Sequence, residues 1–295
     1  MQRTVGVIGG SGLYEMPGLE RKREIPTSSL PPAARAWGEP SDALVEGFLG
    51  ETRLVFLPRH GRAHRIPPHR INYRANLLAL KAAGAEQIVS VSAVGSLAED
   101  VHPGDVVMVD QFIDRTRTRP STFFEDVGVV AHVGFADPID HALSGALHDA
   151  ALACGARVHR GGTYVCIEGP QFSTRAESNL YRSWGGRVVG MTNLPEARLS
   201  RECELPYATV ALVTDYDCWK VDEAAVTVDA VVAVLRKNVA VAQAILRAVA
   251  DRLPDPSRSP SARALDDALL THVEAITDEA RGRLSLLLAR VSKKA

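Results

Sequence analysis

The sequence predicts an α/β domain, a twisted central mixed β-sheet flanked by helices, and three observations predict it. Short apolar runs suited to buried strands recur at residues 4–8, 53–57, 87–91, 106–109, 164–167, 187–189 and 208–213. Longer stretches at helical spacing lie between or after them, at 73–83, 139–154 and 222–252, with a further helical segment from 262 to the end. Several of the runs stop abruptly in small-polar or charged residues. In open α/β sheets the carboxyl ends of strands are where ligands bind.

The first run ends in Gly9-Gly10-Ser11-Gly12. Backbone N–H groups of such a turn can close around an anion, with the Ser11 hydroxyl as a further donor, or the glycines can serve only a tight turn. The spacing fits neither GxGxxG nor GxxxxGK[ST], so a dinucleotide or nucleoside triphosphate is poorly supported. The run at 53–57 ends in Pro58-Arg59-His60-Gly61. Arg59 offers a fork of donors for a phosphate and His60 a donor beside it; a solvated basic loop is the alternative. His60, His64 and His69 have no carboxylate between them, which argues against a metal site. Residues 73–83 form an amphipathic helix stopped by Gly84. The run at 87–91 leads into Ser92-Ala93-Val94-Gly95-Ser96, where a hydroxyl and exposed N–H groups again suit an anion. Residues 110–136, with Arg115, Arg117 and Arg119, read as a long loop, a length that suggests a functional or interfacial role.

After the run at 164–167, Thr174 and Glu177 have the spacing of a capping box. Capping does not account for Phe172, an aromatic in a polar loop that can stack on a flat ligand. The run at 187–189 leads to Met191 and Thr192, the methionine either core or ligand contact. The run at 208–213 ends in Thr214-Asp215-Tyr216-Asp217. Two residues apart on a strand, the acids face the same way if the extended geometry persists through Tyr216. In a dry cleft such a pair cannot both ionise freely, so one is a candidate proton donor. Capping of the following helix is the bland alternative.

Composition narrows the function classes. The 295 residues carry 34 basic and 35 acidic side chains, a net charge of −1, so nothing draws the whole chain to nucleic acid or an anionic membrane. Cys154, Cys166, Cys203 and Cys218 show no CxxC pair, the N-terminus has no long apolar targeting segment, and no apolar run nears the ~20 residues a membrane span needs. Free thiols and a cytoplasmic location are expected. The domain reading is an α/β domain over 1–253, a Pro/Ser linker at 254–261, and a C-terminal helical segment at 262–295 packing on the same domain.

Eight blocks in order, among them VGVIGGSGLY at 5–14, FLPRHG at 56–61, SAVGSL at 92–97, IEGPQFSTRAES at 167–178, MTNLPEARLSRE at 191–202 and VTDYDCW at 213–219, give the chain its resemblance to a known family. It resembles the S-methyl-5′-thioadenosine phosphorylases of the trimeric purine nucleoside phosphorylase superfamily, over about residues 4–250. The resemblance implies a phosphorylase/hydrolase-like fold with a C-terminal helical extension. It implies a pentosyltransferase of purine and methionine salvage that splits 5′-methylthioadenosine with inorganic phosphate, or acts on other adenosines or on inosine and guanosine. Ser11, Arg59, His60, Ser92, the Ala93 backbone and Thr192 match phosphate-binding positions. Met191 matches the residue under the ribose, Phe172 the aromatic beside the base, Asp215 the acid facing N7, and Asp217 the one reading the 6-amino group. His132 matches a residue lent by a neighbouring subunit, which implies a homotrimer with sites at subunit interfaces. No metal or organic cofactor is implied. The related 6-oxopurine enzymes carry Asn in the region of the two acids; Asn193 departs from the pattern and is either silent or a residue that adjusts base preference. The C-terminal stripe of Ala264, Leu265, Ala268 and Leu269 is a candidate for the 5′ pocket. A nucleoside-binding protein without catalysis is the reading from a different class; intact Asp215, Arg59 and His60 count against it.

Overall fold

The structure, a computed structural model, describes residues 3–220 and 228–291. In chain order the strands are β1 Thr4–Gly9, β2 Glu20–Ile25, β3 Leu44–Leu49, β4 Thr52–Pro58, β5 Gln87–Ser96, β6 Val106–Met108, β7 Gln111–Arg115, β8 Val158–Arg160, β9 Thr163–Ile167, β10 Gly186–Gly190 and β11 Tyr207–Asp215. The helices are α1 Tyr73–Ala82, α2 His141–Ala153, α3 Arg175–Ser183, α4 Asn193–Glu202, α5 Val228–Val249, α6 Asp278–Arg283 and α7 Ser285–Leu288. All the strands belong to one mixed sheet.

Strand β5 is the axis of that sheet, and its length sets the place of the site. Along one edge it pairs in parallel with β1 through Ser90, then antiparallel with β10 from Gly95 onward. Along the other it pairs in parallel with β11 from Ile88 to Gly95. Among the described strands nothing pairs with the first edge between Ser90 and Gly95. The sheet forks there, and a fork at strand carboxyl ends leaves a crevice walled by backbone. Strand β11 is buried from Tyr207 through Thr214, as a strand covered on both faces must be. Helices α2 and α5 pack together against it, and α4 packs against β11 and β5 beside α1.

Local chemistry explains the helix starts. Asn72 accepts from the Ala75 N–H at the start of α1, and Asp140 from the Leu143 N–H at the start of α2. Thr174 and Glu177 form the expected capping box on α3. Several expectations are corrected. The loop expected over 110–136 begins with a strand, β7, a largely exposed partner of β9. Strand β2 (ERKREI) was not expected; it is exposed, and a charged edge strand carries no apolar alternation to reveal it. Helix α4 also lacks a clean apolar stripe, because Asn193, Glu196, Ser200 and Glu202 are among its buried residues. The helix expected from 222 is described from Val228, its first residues lying outside the described ones.

The expected continuous helix after 262 is instead a run of 3₁₀ turns with the short helices α6 and α7. Leu265, Ile276, Leu284, Leu287 and Leu288 from this segment join the main hydrophobic core. In the expected 5′-pocket stripe, Leu265 and Ala268 are buried in that core. Among the described residues no helix is long and apolar enough to cross a membrane, and all four cysteines are free.

Glu202, at the end of α4, ties the 110–136 segment to the core. It accepts from the Thr122 hydroxyl and the Phe123 N–H, both at 2.7 Å. Burial pushes its carboxyl up to about 7, against those two bonds. The native state therefore holds a proton that the unfolded chain has already lost. Stability from this group is full below the ordinary carboxylate range and falls as pH rises through about 7. The shift corresponds to about 3 kcal/mol. Between pH 5 and 8 the thermal midpoint of the wild-type chain is expected to fall by several degrees more than that of Glu202→Gln; parallel pH profiles would refute the assignment.

Candidate active site

A cavity of about 870 Å³ opens at the fork. Its wall includes Gly9, Gly10 and Gly12 at the end of β1, Arg59 and His60 after β4, Val91–Gly95 of β5, Met191 and Thr192 after β10, and Thr214, Asp215 and Asp217 at the end of β11. Phe172 and Ser173 close one side. Most residues named in the sequence thus meet in one space. The exceptions are Ser11, whose side chain lies outside the described residues, and His132. His132 is exposed and away from this chain's cavity; its backbone N–H donates to the Ala268 carbonyl at 2.8 Å, joining its loop to the C-terminal segment. A second, shallower cleft of about 470 Å³, between Leu97 and Arg187, holds none of the expected residues.

At one end of the cavity hydroxyl groups converge. Ser92 Oγ lies 3.1 Å from Thr192 Oγ1 and 3.3 Å from the Tyr164 hydroxyl, which also accepts from the Thr192 N–H at 3.4 Å. Tyr164 reads in the sequence as strand core, yet its tip reaches this cluster. A side chain on Gly190 would lie 2.1 Å from that tip, so only glycine fits. His60 Nδ1 donates to the Ile66 carbonyl at 2.8 Å, since a carbonyl can only accept. Burial pushes His60 down to about 4, helped by the Arg59 charge. The ring is therefore neutral near pH 7, and with Nδ1–H used its Nε2 is an acceptor, not the donor expected beside Arg59; its stacked neighbour His64, 4.1 Å away between centroids, is lowered by burial too. Among the described residues no three potential metal ligands cluster.

Arg59 is 3% exposed, so the solvated basic loop, the alternative reading of this run, does not describe it. Glu196 of α4, itself 1% exposed, takes Nε at 2.7 Å and Nη2 at 3.0 Å. Glu196 was not foreseen; no sequence signal shows that Arg59 is buried and must have an acid beside it. Asn193 is fully buried, donates to Ser90 Oγ and the Tyr207 hydroxyl, and does not line the cavity. Its contact is with this network and not with a base.

At the other end stand the two acids. The extended geometry expected through Tyr216 does not persist: β11 ends at Asp215, and Asp217 sits in the left-handed region with φ 51°. What brings the carboxyl groups together is a turn. Asp215 Oδ1 accepts the Asp217 N–H at 2.7 Å, and Thr214 Oγ1 lies 2.6 Å from Asp215 Oδ2. A Cβ on Gly95 would come 2.9 Å from Asp215 Oδ1, so the close approach of β5 requires glycine there. Burial raises both carboxyl groups above the ordinary range. For Asp217 the Asp215 charge adds to burial, while the Ser178 hydroxyl nearby pulls the other way. Asp217 Oδ2 is buried without a hydrogen-bond partner, although the Ser178 hydroxyl acts on its charge; no well-formed bond joins the two. Such an atom is costly unless something satisfies it.

Between the ends lie Met191 and Phe172, the latter 53% exposed at the rim. Arg119, from the segment read as a functional loop, points inward. It donates to the carbonyls of Ile167, Glu168, Met191 and Leu194, locking together the two loops on which those residues stand.

Comparison with known proteins identifies the family of the chain. Residues 4–251 match the family model of the phosphorylase superfamily. The chain is 52% identical over 289 residues to the S-methyl-5′-thioadenosine phosphorylase of Geobacter sulfurreducens, covering 98% of this chain and 99% of that one. It is 51% identical over 294 residues to that of Thermosynechococcus vestitus, with the same coverage. A solved methylthioadenosine phosphorylase from an antarctic soil metagenomic library superposes with a TM-score of 0.90 at 46% identity, covering 98% of this chain and all of that one. An adenosine/methylthioadenosine phosphorylase variant of Schistosoma mansoni, solved with methylthioadenosine, gives 0.73 at 39% identity over 84% of this chain and 91% of that one. With a shared fold, near-complete coverage and half of its residues identical to those relatives, the chain belongs to the phosphorylase superfamily, in its S-methyl-5′-thioadenosine phosphorylase family.

Proposed function

We propose that this chain splits the N-glycosidic bond of 5′-methylthioadenosine with inorganic phosphate, giving adenine and 5-methylthioribose 1-phosphate. The observation that carries this reading is the junction, in one cavity, of an oxyanion-donor end with a buried acid pair. Phosphate attacks C1′ while the purine leaves, through a sugar with oxocarbenium-like charge. Ser92, Thr192, Arg59, the Ala93 backbone and Ser11 donate to the nucleophile, whose negative charge stabilises that cation, while His60, its Nδ1–H taken by Ile66, accepts the O–H of hydrogen phosphate at Nε2. Met191 packs under the ribose and Phe172 against the base. Asp215, whose carboxyl burial raises above the ordinary range, serves as the acid that donates to N7 so that adenine departs neutral. Asp217 accepts from the 6-amino group, which gives its unpartnered Oδ2 a donor. Every proton and charge in this sequence has a side chain or phosphate to carry it, so no metal or organic cofactor is required.

The 5′ substituent faces the apolar wall near Leu13 and Val239, which suits a methylthio group better than a hydroxyl. A homotrimer, with His132 of one subunit completing a neighbour's 5′ pocket, accounts for its exposure away from its own cavity; solution mass tests it. Free thiols throughout suit a cytoplasmic enzyme. The direct test is release of free base in phosphate buffer with 5′-methylthioadenosine, adenosine and inosine in parallel. The kcat/KM for 5′-methylthioadenosine is expected to exceed that for inosine by ~10² or more. Release without dependence on phosphate, or a lead for inosine, would overturn the proposal.

A further inference from the structure

The Arg59–Glu196 pair lies in a buried network with more order than a phosphate-binding arginine needs for its own stability. Glu196 Oε2 takes the Nε–H and Oε1 takes one Nη2–H, while the Tyr207 hydroxyl donates to the same Oε1 at 3.0 Å. The other Nη2–H goes to Ser90 Oγ at 2.6 Å, and one Nη1–H to the Val91 carbonyl at 3.1 Å. Asn193 braces Ser90 and Tyr207 from the same helix that carries Glu196. A guanidinium has five N–H donors. Four are held by these partners, and the remaining Nη1–H belongs to a group that lines the cavity.

Two physical consequences follow. A bidentate carboxylate fixes the plane of a guanidinium, because both arms must stay in register. It also offsets the arginine's charge where burial would otherwise make it costly. The anion then meets an aimed donor rather than a mobile positive charge. With His60 neutral and its Nδ1–H committed to Ile66, the side-chain donors left for an anion at this end are the remaining Arg59 N–H and the Ser92 and Thr192 hydroxyls.

We infer that Glu196 is a positioning residue for phosphate: with Tyr207 and Asn193 behind it, it holds Arg59 so that one N–H faces the bound oxyanion. This inference rests on the phosphorolysis proposed above. A purely structural pair would affect folding or both substrates alike, whereas a positioning pair acts on phosphate alone.

The experiment compares the full-length wild type with Glu196→Gln and Tyr207→Phe. Glutamine keeps the volume but sets an NH₂ against one arm of the fork. Steady-state KM values for phosphate and for 5′-methylthioadenosine are measured, each at a saturating level of the other. Inorganic phosphate is also titrated calorimetrically into the free protein. For Glu196→Gln the KM and Kd for phosphate are expected to rise ~10-fold or more, the weight of a charged hydrogen bond. The nucleoside KM should move less than about twofold. Tyr207→Phe, which removes one supporting bond, should shift phosphate in the same direction by a few-fold. Equal movement of both KM values, or no movement in phosphate affinity, overturns the inference. Should Glu196→Gln fail to fold, Tyr207→Phe decides: unchanged phosphate affinity overturns it. If the wild type releases no base, the proposed reaction fails, yet the calorimetric comparison still tests the positioning of Arg59.

Discussion

Asp215→Asn is expected to lower the kcat for 5′-methylthioadenosine by ~10²–10⁴, the range that a positioned general acid contributes. The substitution is close to isosteric. Its carbonyl can still accept the Asp217 N–H that Asp215 Oδ1 now accepts, and its amide can reach Thr214 Oγ1, so the turn that pairs the acids is kept. What is lost is a transferable proton. Adenine departing without it carries negative charge toward the end of the pocket that holds the buried Asp217 carboxyl, which raises the barrier and leaves ground-state binding largely intact. The nucleoside KM should therefore change far less than kcat. A nucleoside methylated at N7 supplies the decisive control, because its base leaves neutral without protonation and should be spared. Equal loss on both substrates would remove Asp215 from the acid role. The pH profile offers a second reading. Burial raises the Asp215 carboxyl above the ordinary range, so wild-type kcat/KM is expected to fall as pH rises through its deprotonation, and that fall should vanish in the variant.

The parts of the site legible in the sequence share one property: each stands directly after an apolar run. Arg59, Ser92, Thr192 and Asp215 were found because a strand that ends in polar residues is unusual enough to notice, and the fold then brings those ends to a single fork. Tyr164 and Glu196 were missed for the opposite reason. Tyr164 lies inside its apolar run, where a hydroxyl at the far end of the ring leaves no trace in periodicity. Glu196 lies in a polar stretch whose burial comes only from tertiary contact, so α4 itself went unread. The exposed strand β2 and the edge strand β7 failed for want of apolar alternation. Spacing alone also misread the acid pair: the carboxyl groups are adjacent, but a left-handed Asp217 after the strand end puts them there, not two residues of continued strand.

That left-handed turn makes Asp217→Asn a clean test of base recognition. Asparagine adopts positive φ at least as readily as aspartate, so the backbone at φ 51° is preserved. The change converts one acceptor oxygen into a donor at the same place. On the proposed reading an adenine base gives the buried Oδ2 a partner in its 6-amino group, whereas a 6-oxo base sets two acceptors face to face. Asparagine can present its NH₂ to O6 and reverse that preference. The ratio of kcat/KM for inosine to that for adenosine, which share the 5′-hydroxyl, is expected to rise by ~10² or more, within the span that a specific hydrogen bond commands. The raised pKa of Asp217 sharpens the test. Were the wild-type carboxyl protonated at working pH, it could already donate to O6, so discrimination should strengthen as pH rises and the acid ionises. The variant should lose that pH dependence. An unchanged ratio would exclude Asp217 as the base-reading group, and Asn193 could not replace it, because its buried amide is committed to Ser90 and Tyr207.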